Sequence, residues 1–369
     1  MAAGAFFFAG GGTGGHIYPA IAVAEQILKL KPDTKVHFFC SERQIDSSIL
    51  SKTPYEFTRL PAVGLEASPG GLLRFCKGFF KSRKIAAKAI AESGNAVVIG
   101  VGGFVAAPVC YAGKRLGRPV TLINTDSVPG KANRLAARWA NEVFVQFAET
   151  EPYFAETRVM VTGCPVREAF NNPQPEKVRS ELGLEEGKKI LLVTGASSGS
   201  ASINEAVCML IERLAEFADD WQIVHLTGRA NFEDMNTKYE GAKIAHRVTD
   251  YWDDMAGLLA AADLVNGRSG AVSVAEYAAA GVPSICIPYP HHKDRHQYLN
   301  AKALVEAGAA VMVDDIPDAH ERADKLWQEL GALMRDESRR AAMKKACENV
   351  GARDAALQIA RRLIGISSE

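Results

Sequence analysis

Four short segments hold the groups in this chain best suited to chemistry. The first, Gly10-Gly11-Gly12-Thr13-Gly14-Gly15-His16, follows the apolar run Ala5–Ala9 and leads into Ile17, Tyr18 and Pro19 at the start of a helix. Glycines let a backbone turn tightly and approach a ligand, and a helix N-terminus adds unpaired N–H groups with partial positive charge. A sugar, a phosphate or a reacting oxygen suits such a place, and His16 adds an imidazole, the side chain that exchanges protons near neutral pH. The second segment is Gly100-Val101-Gly102-Gly103-Phe104, with Pro108 in the next helix turn, and the third is Gly195-Ala196-Ser197-Ser198-Gly199-Ser200. The fourth, Asn266-Gly267-Arg268-Ser269-Gly270-Ala271, continues as Val272-Ser273-Val274-Ala275-Glu276. A Gly/Ser turn between a strand and a helix of small residues makes an anion site, suited to a diphosphate that gains charge as it leaves. Glu276, about one and a half turns into that helix, can accept hydrogen bonds from ribose hydroxyls.

Other readings compete for the same residues. Gly10, Gly12 and Gly15 also satisfy G-x-G-x-x-G, and Glu42 follows the second strand where a dinucleotide fold places its ribose acid, which is the pattern of an NAD-dependent oxidoreductase. That reading uses one glycine loop and leaves the third and fourth segments without a role. His291, His292, His296 and Asp294 superficially resemble a metal site, but the helical pair with a supporting carboxylate is missing and no D-x-D falls at a strand end, so no metal is expected. Arg167 and Arg268 could face a diphosphate or close a surface or interdomain salt bridge.

These segments need a scaffold that presents strand ends. Apolar or β-branched runs at Ala5–Ala9, Lys35–Cys40, Ala96–Val101, Val120–Asn124 and Glu142–Gln146 alternate with helical stretches at Pro19–Leu30 and Leu72–Ala91. Lys189–Thr194, Gln222–Thr227, Leu264–Asn266, Ser284–Pro288 and Ala310–Val313 repeat the pattern, with helices near Ile203–Phe217, Asp253–Ala262, Val272–Ala280 and Asp294–Ala307. Strand–helix alternation predicts an α/β fold of two doubly wound parallel sheets. The helix-hostile passage from Gly163-Cys164-Pro165 to Asn171-Asn172-Pro173-Gln174-Pro175 places the boundary near residue 164. That gives domains 1–164 and 165–350, with a last helix, about 351–369, expected to cross back onto the first. Glycine loops at strand ends of both halves point toward a shared cleft.

A length of 369 residues, 47% hydrophobic and 23% charged, fits two folded domains. The 43 basic and 43 acidic residues cancel, so no global field draws nucleic acid or membrane and none is expected as a nucleic-acid partner. Seven scattered cysteines without a C-x-x-C pair favour reduced thiols. Ala5–Ala9 lacks the positive flank of a signal peptide, and no run reaches the ~18–20 apolar residues that span a bilayer, so any membrane contact is expected to be peripheral.

Taken in order, GGTGGHIYPA, GVGGFVAAP, the Gly163-Cys164-Pro165-Val166-Arg167 passage, RSGAVSVAE, AAAGVP and HKDRHQYLNA from His292 to Ala301 resemble the MurG family of family 28 glycosyltransferases along nearly the whole chain. The resemblance implies a GT-B fold of two Rossmann-like domains facing a cleft. It also implies inverting transfer of N-acetylglucosamine from UDP-N-acetylglucosamine to the C4 hydroxyl of lipid I, forming lipid II in peptidoglycan synthesis, without metal or other cofactor. Other acceptor lipids within the family, or a non-catalytic nucleotide-sugar-binding role, stand as alternatives. The first domain would take the acceptor and the second the donor. Thr13, Gly14, Gly15 and His16 would approach the reacting sugars, and Arg167 and Ser197 the diphosphate. Ala271, Val272, Ser273, Val274 and Glu276 would meet the nucleotide, Trp252 would line the uracil pocket, and His296, Gln297 and Asn300 would meet the donor sugar.

The chain departs from that family at Ile123-Asn124-Thr125-Asp126, where His-Glu-Gln-Asn is usual, and at Ala196 and Ser198, where Gly and Gln are common. The expected catalytic pair is His16 as base with Asp126 orienting it, although a turn Asp can merely bind backbone N–H groups. Leu72, Phe75, Lys77, Phe79, Phe80, Lys81 and Lys84 mix large apolar side chains with cations, as an anionic membrane surface requires. An amphipathic helix with all four apolar residues in the core would show the same composition. The resemblance favours the membrane contact and the cytoplasmic face of the cell membrane.

Overall fold

The strand β1 (Ala5–Gly10) is buried along its whole length because helices cover both faces of its sheet. Phe6 and Phe8 enter one core while Ala5, Phe7 and Ala9 enter the other, the period-two division of a doubly covered strand. The computed structural model describes residues 4–350 and 353–368, with the side chain of Ser197 outside the described residues. The chain divides into two units, Met1–Glu168 with Ala352–Glu369, and Ala169–Gly351.

In the first unit, β1 is joined by β2 (Lys35–Ser41), β3 (Glu56–Leu60), β4 (Ala96–Gly102), β5 (Val120–Asn124), β6 (Glu142–Val145) and β7 (Arg158–Val161). Among the described residues they form a parallel sheet of order β3-β2-β1-β4-β5-β6-β7. Its helices are α1 (Gly14–Leu30), α2 (Gln44–Leu50), α3 (Pro69–Ala91), α4 (Ala106–Arg115) and α5 (Lys131–Ala137). The second unit holds β8 (Lys189–Thr194), β9 (Trp221–Leu226), β10 (Ala245–Thr249), β11 (Leu264–Gly267), β12 (Ser284–Cys286) and β13 (Ala310–Met312), in the order β10-β9-β8-β11-β12-β13. Its helices are α6 (Pro175–Leu182), α7 (Ala201–Met209), α8 (Ile211–Leu214), α9 (Phe232–Lys238), α10 (Met255–Ala261), α11 (Ala271–Ala280), α12 (His296–Glu306), α13 (Ala319–Arg335) and α14 (Glu337–Cys347).

Sequence patterning misses β3, β7 and β10, and the reason is physical. Each is a sheet edge, with Glu56 and Arg59, Arg158, or His246 and Arg247 facing out of a short strand, the charged dressing that keeps edges from pairing with other chains. A second difference concerns α1, which begins at Gly14 and so carries His16 in its first turn and Pro19 within it.

In each sheet the order reverses direction beside the first strand, between β1 and β4 and between β8 and β11. Open α/β sheets bind ligands outside the carboxyl ends of strands at such switch points. The four segments singled out in the sequence follow these four strands.

The last helix, α15 (Ala355–Ile366), belongs to the first unit. Ala356, Ile359, Ala360, Leu363 and Ile366 enter the core that α1 covers. Arg362 Nε donates to Glu142 Oε2 at 2.8 Å, and Arg158 lies 3.3 Å from the other oxygen, so the buried Glu142 carboxylate is neutralised from two sides. Leu363→Ala should therefore destabilise the first unit by about 2–5 kcal/mol, read as a lower urea midpoint for its transition. An unchanged midpoint would contradict the packing of α15.

Candidate active site

The first glycine loop is held from below by a residue that sequence reasoning missed. Asp46, wholly buried in α2, accepts the Gly12 N–H on both carboxylate oxygens (2.9 and 2.8 Å), the Ser41 N–H (3.0 Å) and the Ser41 hydroxyl (2.5 Å). The Gly12 N–H is thus already spent on a protein carboxylate. Arg43, at the N-cap of α2, donates from Nη1 to the Gly12 carbonyl at 3.0 Å.

The second glycine loop lies directly on the first. The register of β4 against β1 slips by one residue at Val101, so Gly10 pairs with Gly102. Gly103, at φ +74°, approaches so closely that a Cβ there would sit 2.1 Å from the Gly11 carbonyl oxygen. No other residue fits that position.

His16 lies across Gly102, where a Cβ would meet the imidazole Nε2 at 2.8 Å. Its Nδ1 lies 3.1 Å from the Gly11 carbonyl and 3.5 Å from the Thr13 hydroxyl. A carbonyl only accepts, so in the neutral ring Nδ1 carries the proton and Nε2 keeps the lone pair. His16, Gly102, Gly103, Asn124, Asp126 and Asn133 line one pocket. The two residues expected as a catalytic pair therefore share a pocket within the first unit. Asn124 shapes its wall: its amide donates to the Asp126 carbonyl at 2.7 Å, which leaves its oxygen to accept from Asn133 Nδ2 at 3.0 Å. Thr13 is exposed at the loop crest, and Gly14 and Gly15 open α1.

Arg167 rests 4.3 Å from the centre of the Tyr18 ring and attracts Glu25, both on α1. Burial raises the Glu25 carboxyl above its usual range, against the Glu168 N–H and Arg167 that pull it down. Glu168 is tied to the same helix by Gln26 (2.5 Å), Lys29 (2.7 Å) and its own N–H to Glu25 (2.9 Å).

In the second unit Gly199, at φ +73°, packs so that a Cβ would lie 2.2 Å from the Thr227 carbonyl oxygen. Behind it Asn204 donates to that carbonyl at 2.9 Å, so its oxygen accepts from His225 Nε2 (3.1 Å), whose Nδ1 takes the Tyr239 hydroxyl proton (3.0 Å). Burial pushes His225 down to about 3 and keeps it neutral. Ala196 holds φ +61° at the position where the family commonly has glycine, and Arg295, ahead of α12, holds φ +51°. Such left-handed conformations cost a residue with a Cβ about 1–2 kcal/mol.

Arg268 is buried, and the ion pair it makes lies within the second unit rather than at the surface or between the units. Its Nη1 meets Asp315 at 2.8 Å and its Nη2 donates to the Ser200 and Ser202 hydroxyls at 2.8 and 2.9 Å. The side chain ties the third loop to the fourth segment. That segment opens α11 at Ala271 with a glycine N-cap that offers no side-chain cap, so the helix end stays open to an outside anion. Ala271 and Val274 are buried, Val272 and Ser273 half-buried, and Glu276 is buried rather than solvated.

Gln297 and Asn300 serve the same segment from α12. The Gln297 side chain accepts the Tyr289 N–H (3.0 Å) and its carbonyl the Ser269 hydroxyl (2.9 Å), while the fully buried Asn300 donates to the Ser269 carbonyl (3.4 Å). Both hold the turn in place. His296 stacks on His292 at 4.2 Å and donates from Nδ1 to Asp294 at 2.7 Å. Trp252 is half-buried, with its indole N–H enclosed.

On α3 the buried stripe is Gly71, Gly78, Ser82, Ala86 and Ile90. The reading that puts Leu72, Phe75, Phe79 and Phe80 all in the core therefore fails: Leu72 and Phe80 are exposed, Phe80 by 58%, and Phe75 and Phe79 are only half-buried. The ring contacts run Phe75–Phe79–Tyr111–Trp139, which adds α4 and the end of α5 to the surface. Lys77, Lys81 and Lys84 are exposed beside it, and no described helix is long and apolar enough to cross a membrane.

Two family models match the chain, the glycosyltransferase family 28 N-terminal domain over residues 6–145 and its C-terminal domain over residues 190–359. A UDP-N-acetylglucosamine–N-acetylmuramyl-(pentapeptide) pyrophosphoryl-undecaprenol N-acetylglucosamine transferase from Desulforudis audaxviator is 35% identical over 97% of this chain and 98% of its own. The transferase of the same name from Chlorobium limicola is 35% identical over 98% of both chains. The crystal structure of Acinetobacter baumannii MurG superposes with a TM-score of 0.70 at 25% identity, covering 98% of this chain and 99% of that one. The two parallel α/β sheets are those of a GT-B glycosyltransferase, and the chain belongs to the MurG family of family 28 glycosyltransferases.

Proposed function

We propose that this chain transfers N-acetylglucosamine from UDP-N-acetylglucosamine to the C4 hydroxyl of the muramyl sugar of lipid I, with inversion, giving lipid II. The observation that carries the reading is the pocket shared by His16 and Asp126, with the Nε2 lone pair fixed by the Nδ1–Gly11 contact of 3.1 Å. The acceptor hydroxyl would give its proton to Nε2 as its oxygen attacks the anomeric carbon, and UDP would leave. Asp126 would orient the imidazole and stabilise its charged form. The α11 N-terminus would receive the diphosphate and Glu276 the ribose, with Trp252 against the base. Gln297 and Asn300 would meet the donor sugar from the turn they hold, and Arg268 would act through the loops it ties together.

His16→Ala should lower kcat by about 10²–10⁴-fold, the usual loss when a general base is removed. UDP-N-acetylglucosamine, and not NAD, should still raise the melting temperature of that variant by mass action. Asp126→Asn should be milder. Should Asp126→Asn abolish turnover while His16→Ala stays active, the two roles are exchanged.

The exposed face of α3 supports peripheral binding to an anionic membrane at the cytoplasmic face. Leu72, Phe75, Phe79 and Phe80 would enter the interface while Lys77, Lys81 and Lys84 reach lipid phosphates. Changing the three lysines to Glu should abolish sedimentation with anionic vesicles and leave the unfolding transition in place. Retained binding would remove this face from the reading.

A further inference from the structure

The Arg268 guanidinium commits both of its terminal nitrogens inside the second unit. Nη1 is shared among the Ile287 carbonyl (3.1 Å), the Pro288 carbonyl (3.3 Å) and Asp315 Oδ2 (2.8 Å). Nη2 has two N–H groups, and these go to the Ser200 and Ser202 hydroxyls at 2.8 and 2.9 Å. The cation is therefore matched by a carboxylate whose side chain is only 5% exposed, and its reach is used up on the protein itself.

The two serines complete a closed circuit. Ser202 donates its one proton to Asp315 Oδ2 at 2.7 Å, so toward Ser200, 3.3 Å away, it can only accept. The direction Ser200 to Ser202 to Asp315 is thus fixed. Ser200 is also the N-cap of α7, accepting the Ile203 N–H at 3.4 Å. Asp315 follows β13 and is held from its other oxygen by Arg322 of α13, 3.7 Å away. The circuit leaves the end of the third loop, passes through the first turn of α7 to Asp315, and returns through Arg268 to the fourth segment.

Both segments it joins have backbones that need holding. Ala196 in the third loop sits at φ +61°, a conformation that persists only where the surroundings over-determine it. In the fourth segment a Cβ on Gly267 would lie 2.5 Å from the Tyr277 hydroxyl, which donates to the Arg268 carbonyl at 3.1 Å. The cluster accordingly fixes one loop against the other, and not merely each loop by itself.

An enforced spacing between two segments matters to a ligand that touches both and is indifferent to one that touches a single segment. We infer that Ser202 and Asp315 are positioning residues which, through Arg268, set the third loop and the α11 N-terminus to the span of a nucleoside diphosphate. They thereby make the second unit prefer a diphosphate to a monophosphate. This rests on the proposed function, in which the α11 N-terminus receives the donor diphosphate, and on the third loop meeting the same group.

The test compares UDP with UMP by titration calorimetry on the full chain, alongside donor and acceptor kinetics. Ser202→Ala should weaken UDP about tenfold, as loss of a partner to a buried charged donor does, and raise the donor KM in step. UMP affinity and the acceptor KM should not change. Ser202→Thr keeps the hydroxyl and should restore UDP binding. Asp315→Asn should weaken UDP further than Ser202→Ala; should that variant not fold, the Ser202 pair decides the matter. Equal losses for UDP and UMP, or a lowered melting temperature with UDP affinity intact, overturn the inference while the transferase reading stands. Absence of UDP binding to the unaltered protein removes both.

Discussion

The close passage of two glycine loops at the β1–β4 switch point is the constraint on which the rest of the first unit depends. A carbonyl oxygen of the first loop occupies the space where Gly103 would carry a side chain. That contact needs parallel β1 and β4 side by side, a one-residue slip in their register, and helices on both faces to bury Phe6, Phe7 and Phe8. His16 then lies across Gly102, and its tautomer follows from the carbonyl at Nδ1. Asp46 in α2 and Arg43 at its N-cap hold Gly12, one by its N–H and the other by its carbonyl.

The second unit solves the same problem with side chains. Its third loop is anchored from behind by Asn204 and the neutral His225, and from the side by the Arg268–Asp315 pair. Buried ion pairs contribute little net stability but lose much when one partner is removed. Their value here is that two loops from different strands are held to one geometry. Arg322 adds a second cation 3.7 Å from the same Asp315 carboxylate and reaches Glu205 at 2.5 Å, which leaves the cluster balanced in charge.

Much of this was legible in the residues. Buried parallel strands read as unbroken apolar runs, so Ala5–Ala9, Val120–Asn124 and Lys189–Thr194 are found within a residue of their ends. Glycines at strand ends, and a histidine in the turn after them, pointed to the pocket that now holds His16 and Asp126. What stayed hidden lies in pairings between distant segments. Asp46 looks like any acidic residue early in a helix until Gly12 is folded onto it, and Gln297 and Asn300, expected at the donor sugar, also hold backbone groups of Tyr289 and Ser269. The helical period of α3 was plain, yet its buried face is a stripe of small residues, and composition alone could not tell which way the phenylalanines turn.

The central claim is the identity of the transferred sugar and of its acceptor. Incubation with radiolabelled UDP-N-acetylglucosamine and a panel of lipid acceptors, lipid I and diacylglycerol among them, tests it most directly. Label is predicted to appear in lipid I, as a product extended by one N-acetylglucosamine, and to be absent from the other lipids. Label in diacylglycerol alone, or in no lipid at all, would contradict the account.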